Sequence, residues 1–132
     1  MGFDEFLGEV QDRAKLDSAE AALRCTRATF ETLAERLAGG EPENIAAQLP
    51  VPLAAFLYRK GDGERFSWKE FIHRVSEREG VDGPAAAYHA RVVFEVLKEA
   101  ISPGEFEDMK AQLPDEFEAL LESGSTGRMG TA

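Results

Sequence analysis

The sequence predicts an all-α protein of about eight short-to-medium helices, arranged as two pseudo-twofold-related repeats that share one core. Three observations predict it. Apolar residues recur three and four apart along the chain, and no alternating apolar/polar segment bounded by turns marks a strand. Short motifs return at a nearly fixed distance: FLGEV at 6–10 returns as FIHRV at 71–75, and AQLP at 47–50 returns at 111–114, offsets of 65 and 64. Each unit holds about 60 residues, too few to bury a large core alone, so the two are expected to share one.

The elements follow in order. In the first repeat, 3–57, Phe3, Phe6, Leu7, Val10 and Ala14 form the stripe of an amphipathic helix. Asp17 or Ser18 caps a longer helix whose Ala19, Leu23, Thr26, Phe30, Leu33 and Leu37 face inward, with Gly39-Gly40 as its end. Residues 41–48 read as a compact acidic helix. Leu49-Pro50 then interrupts, because proline disfavours helical geometry in the residue before it. Leu53, Phe56 and Leu57 supply the apolar face of a last short helix.

The second repeat, 68–121, repeats the plan. Ser67 and Glu70 make a capping box ahead of Trp68, Phe71, Ile72 and Val75, and Gly80 is the stop signal. Asp82 caps a long helix with Pro84 in its first turn and Ala87, Ala90, Phe94, Leu97 and Ile101 inside. Ser102, Pro103 and Glu105 open the short helix 103–112, and Leu113-Pro114 breaks it. Phe117, Leu120 and Leu121 match Leu53, Phe56 and Leu57. Residues 58–67 read as a turn-rich connector. The tail 123–132, with three glycines and little to bury, is expected to be disordered, leaving 1–122 as a single domain.

Composition narrows the function. The 132 residues are 43% apolar and 30% charged, with a net charge of −10 that divides equally between 1–64 and 65–132. This balance argues against a nucleic-acid or anionic-membrane binder. No apolar run approaches the ~20 residues of a membrane span. The acidic MGFDEFLGEV is not a basic signal-peptide start, and one cysteine, Cys25, fits a reducing compartment. A soluble cytoplasmic protein is expected.

The recurring F-L-x-x-V or F-I-x-x-V helix, the long helix ending LAERL or LKEAI, the G-G-E or P-G-E that follows, and the duplicated AQLP resemble the bacterial domain-of-unknown-function family 2267 over residues 3–121. The resemblance implies a helical tandem-repeat protein of the bacterial cytoplasm with no established activity. It brings no catalytic or ligand residues with it.

The residues themselves offer few chemical candidates. His73 and His89 lie on separate helices without metal-ligand spacing; His73 reads as solvated and His89 as partly packed. Cys25 flanks the core stripe as a small apolar residue, with Arg24 and Arg27 beside it, and aligns with His89 at the 64-residue offset. Nothing in the sequence supplies a third group to orient a Cys–His pair. The acids Glu41, Glu43, Glu105, Glu107 and Asp108 fall in first helical turns, where they complement the exposed amide groups. The six bases and five acids of 58–79 read as a mixed-sign surface.

Val92 and Val96 lie about 160° around the helix from Phe94. Residues 84–101 are therefore expected to be the most buried helix, with the valines either packed against the first repeat or forming a partner contact. Two functions remain. The preferred one is a non-catalytic protein-interaction or adaptor module, a monomer or weak homodimer with an unknown protein partner, no cofactor and no metal. The alternative is a small-ligand-binding protein or enzyme whose polar site between the repeats is Cys25, Arg27, His89 and Arg91.

Overall fold

Two helices of equal length organise the protein in its computed structural model, which describes residues 1–58 and 63–118. In chain order the elements are α1 (Phe3–Arg13), α2 (Ala19–Arg36), α3 (Glu41–Ala46), α4 (Val51–Ala54) continued by a 3-10 turn (Ala55–Leu57), α5 (Trp68–Glu79), α6 (Gly83–Ala100) and α7 (Pro103–Ala111). Residues 115–118 are helical too. There is no strand among the described residues, and the fold is all-α. The expected tail 123–132, the pair Leu120 and Leu121, and most of the charged connector lie outside the described residues.

Local chemistry places the helix starts. The side chains of Ser18, Ser67, Asp82 and Ser102 each accept from the backbone N–H three residues on, at 3.1, 3.2, 2.9 and 3.2 Å. Gly80 closes α5 in the left-handed conformation, φ +79°, which its missing Cβ permits. The long helices stop earlier than Gly39-Gly40 suggests. Leu37 and Ile101 are extended C-caps whose side chains turn inward and are buried. The apolar residue at the end of each stripe is thus core without being helix. Gly63, at φ +73°, brings the connector onto α2 so closely that a Cβ would meet the Ala38 Cβ at 2.6 Å. The next residue, Glu64, donates its backbone N–H to the Glu35 carbonyl at the end of α2, at 2.8 Å.

The packing is a four-helix layer. α2 and α6 touch each other, and each also touches both α1 and α5. Phe6 packs its ring on Phe30 at 5.8 Å, and Phe71 on Phe94 at 5.9 Å, so each long helix is covered first by the helix before it. Phe117 adds edge contacts to Trp68 and Phe71 at 5.0 and 5.5 Å. The apolar cluster runs from Phe6 to Phe117 without a break into separate cores. Val92 and Val96 have no exposure at all. Their face is internal, and the partner contact entertained for them has no surface to act from. The expectation that 84–101 is the most buried helix needs correction: α2 buries more of its positions than α6, because α5 of the other half lies along it.

Polar contacts between the halves come in matched pairs. Arg13 on α1 binds Glu95 and Glu99 on α6, at 2.6 and 2.7 Å. Arg78 on α5 binds Glu35 on α2 at 2.6 Å and reaches Glu31 at 4.0 Å. Gln48 takes the Ser102 N–H on its Oε1 at 2.7 Å, and Gln112 takes the Ala38 N–H in the same way at 2.7 Å. Arg78 stands 65 residues after Arg13, while Glu95, Glu99, Gln112 and Ser102 stand 64 after Glu31, Glu35, Gln48 and Ala38.

Val96→Asp places a carboxylate in the dry contact between α6 and its neighbours. It is expected to cost on the order of 3 kcal/mol or more, read as a lowered midpoint in urea unfolding. A midpoint equal to the parent's would contradict the burial of this face.

Candidate functional site

Cys25, Glu79 and His89 converge in the interior. Cys25 sits in the second turn of α2, Glu79 is the last residue of α5, and His89 lies in the second turn of α6. All three are buried: Cys25 is 0%, Glu79 6% and His89 9% exposed. One ligand atom from each, the Sγ, a carboxylate oxygen and a ring nitrogen, lies within 4.8 Å of the other two. His89 Nδ1 makes a short hydrogen bond with Glu79 Oε2. The second carboxylate oxygen, Oε1, has no hydrogen-bond partner among the described residues. The Cys25 thiol donates to the Ala22 carbonyl at 3.4 Å.

Electrostatics fixes what this group can do unaided. Burial first, and then the neighbouring Glu79 charge, push the Cys25 thiol up to about 12. At neutral pH the sulfur therefore keeps its proton and is a poor nucleophile. Glu79 is the third group that sequence reading did not assign to Cys25 and His89. A signal for it existed. Phe71, Val75 and Glu79 are spaced by four, so the acid occupies a position of the buried stripe where an apolar residue belongs. Its counterpart 65 residues earlier is Ala14, which is buried and apolar.

The other candidates lie elsewhere. Arg27 points outward, pairs with Glu31 at 3.1 Å and lies 5.6 Å from the centre of the Phe56 ring. With Arg24, Ala28, Glu31 and Arg78 it lines a surface hollow of about 340 Å³. Arg91 is half-buried, and its Nε has no hydrogen-bond partner among the described residues. Of the expected polar set, the structure brings Cys25 and His89 together and leaves Arg27 outside. His73 is exposed and pairs with Glu77 one turn on, at 3.0 Å. The bases around α5 are tied to acids: Arg74 binds Glu35, Glu64 and Glu70 and stacks on Phe66 at 3.9 Å.

A second cluster joins the two short helices. Oxygens of Glu41 on α3 and of Glu105 and Asp108 on α7 lie within 4.8 Å of one another. The sequence placed these acids at solvated helix starts, yet Glu41 is only 6% exposed. Desolvation, followed by the Glu105 and Asp108 charges, pushes the Glu41 carboxyl up to about 8. Helix pairing explains the difference, since α3 and α7 touch across the halves and bring two first turns face to face. A folded-state value above the ordinary carboxylate range means that the fold binds this proton more tightly than the unfolded chain does. The contribution of Glu41 to stability is therefore full below about pH 4.5, its ordinary value, and is lost as pH rises from there through about 8. Glu41→Gln is expected to raise stability at pH 8.5 by about 1–3 kcal/mol and to flatten the decline. Equal pH profiles for parent and variant in chemical unfolding would contradict this.

The model of a family described as "Uncharacterized conserved protein (DUF2267)" matches residues 3–120. No curated protein matches the chain.

Proposed function

The chain belongs to the DUF2267 family, and we propose that it is a non-catalytic protein-interaction module of the bacterial cytoplasm, a monomer or weak homodimer built from two repeats related by a pseudo-twofold axis. The matched contacts at 64 and 65 residues support the repeat relation. The observation that carries the interaction reading is the short face after α3. Val51 is 81% and Tyr58 60% exposed, and with Met1 they are the exposed large apolar side chains among the described residues. Pro52 and Ala55 are exposed between them, so the segment offers water four apolar side chains over eight residues. A buried apolar contact there repays the cost of their exposure.

Among the described residues, the buried thiol and the arginines that cross between helices are quenched by their surroundings, which supports the same reading. The thiol is protonated, and the guanidiniums of Arg13, Arg74 and Arg78 are each neutralised by more than one carboxylate. The alternative is a small-ligand-binding protein or enzyme with its site between the repeats. One observation favours it, the convergence of Cys25, Glu79 and His89 from α2, α5 and α6.

The test pairs a double variant, Val51→Ser with Tyr58→Ser, against the parent as tagged baits in a bacterial lysate. Melting within about 2 °C of the parent, since exposed positions carry little stability, together with loss of co-purifying proteins, is expected. A parent that retains nothing, or a variant that retains the same proteins in the same amounts, overturns the reading.

A further inference from the structure

We propose that Cys25, Glu79 and His89 form a binding site for one divalent transition-metal ion of the zinc class. The inference goes beyond partner docking and stands without it. A sulfur, an imidazole nitrogen and a carboxylate oxygen are the donor types such ions take, whereas calcium and magnesium prefer oxygen alone. Tetrahedral bonds of about 2.0–2.3 Å place neighbouring donors roughly 3.3–3.8 Å apart. The three ligand atoms already lie within 4.8 Å of one another; an ion entering there draws the Cys25 sulfur in, while the hydrogen-bonded His89 Nδ1 and Glu79 Oε2 move apart to that spacing.

Two further features point to a ligand. Glu79 is nine-tenths buried, and its Oε1 has no partner among the described residues. A buried carboxylate oxygen left unpaired is costly, and a cation supplies the missing interaction. Charge balances as well: a thiolate and a carboxylate beside a neutral imidazole neutralise a divalent ion. On binding, the Cys25 S–H bond breaks and its proton leaves to solvent, the imidazole proton passes from Nδ1 to Nε2, and the sulfur–metal and nitrogen–metal bonds form, with no change in oxidation state. Three protein ligands leave one coordination position for water or a small anion. The donors come from three helices and both halves, so an ion at this point ties α2, α5 and α6 together.

The competing explanation is that Cys25 fills space and that Glu79 and His89 satisfy each other. Cobalt separates the two. Tag-free full-length protein, stripped with a chelator and titrated with Co2+, is expected to bind one equivalent. A sulfur-to-cobalt charge-transfer band should appear in the near ultraviolet, and Zn2+ should displace it. Zn2+ should also raise the melting temperature. Cys25→Ser should abolish the band while keeping the helical circular dichroism, and His89→Gln should weaken Co2+ binding at least tenfold. The proposal is overturned if natively folded parent protein shows no such band. It is equally overturned if Cys25→Ser and His89→Gln both bind Co2+ as tightly as the parent. The band in the parent alone decides the matter should either variant fail to fold.

Discussion

Everything else in the protein depends on the packing of α2 against α6. Each long helix is apolar around more of its circumference than one neighbour covers. Phe30 and Phe94 are covered by Phe6 and Phe71 from the preceding helix of the same half. What remains, Ala28 and Thr32 on one helix and Val92 and Val96 on the other, is buried only because the two helices also meet each other and the helix of the opposite half. Burying a valine or phenylalanine contributes about 1.5–3 kcal/mol. Those contributions, across the α2–α6 contact together with α2–α5 and α1–α6, decide that the halves stay together. The Arg13–Glu95 and Arg78–Glu35 ion pairs still reach solvent, with side chains 15–27% exposed, so their part is to set orientation more than to supply stability.

The same packing builds the polar interior. Residues at one position on α2 and α6 meet, and a cysteine on one with a histidine on the other creates an unlike pair. Glu79 reaches it because α5 ends there, at Gly80, with its last buried position filled by an acid instead of the alanine found at Ala14. The short helices behave similarly. α3 and α7 bring Glu41 to Glu105, so acids placed well for isolated helix ends become a crowded pair. Both clusters arise where residues that suit each half separately are forced into one space.

Helix type and helix starts were legible because their causes are local. A cap needs only a serine or aspartate three residues before a free N–H, and Ser18, Ser67, Asp82 and Ser102 all act so. The ends of α2 and α6 were less legible, since Leu37 and Ile101 continue the apolar stripe after the backbone has become extended. Long-range partners were not legible one residue at a time. The returning AQLP gave no sign that its glutamine reaches across to the other half. Arg78 with Glu31 and Glu35 read as mixed surface charge, although the same trio recurs as Arg13 with Glu95 and Glu99. Glu79 was hidden by its charge, which marks solvent in any reading that lacks a partner.

Neither half covers its own long helix, and the core forms only when both are present. Circular dichroism of residues 1–62 produced as a separate chain tests it most directly. Weak helicity without a cooperative melt is expected, with recovery of a cooperative transition when residues 63–132 are added in equal amount. An isolated half that melts cooperatively, at a temperature close to the parent's, would contradict it.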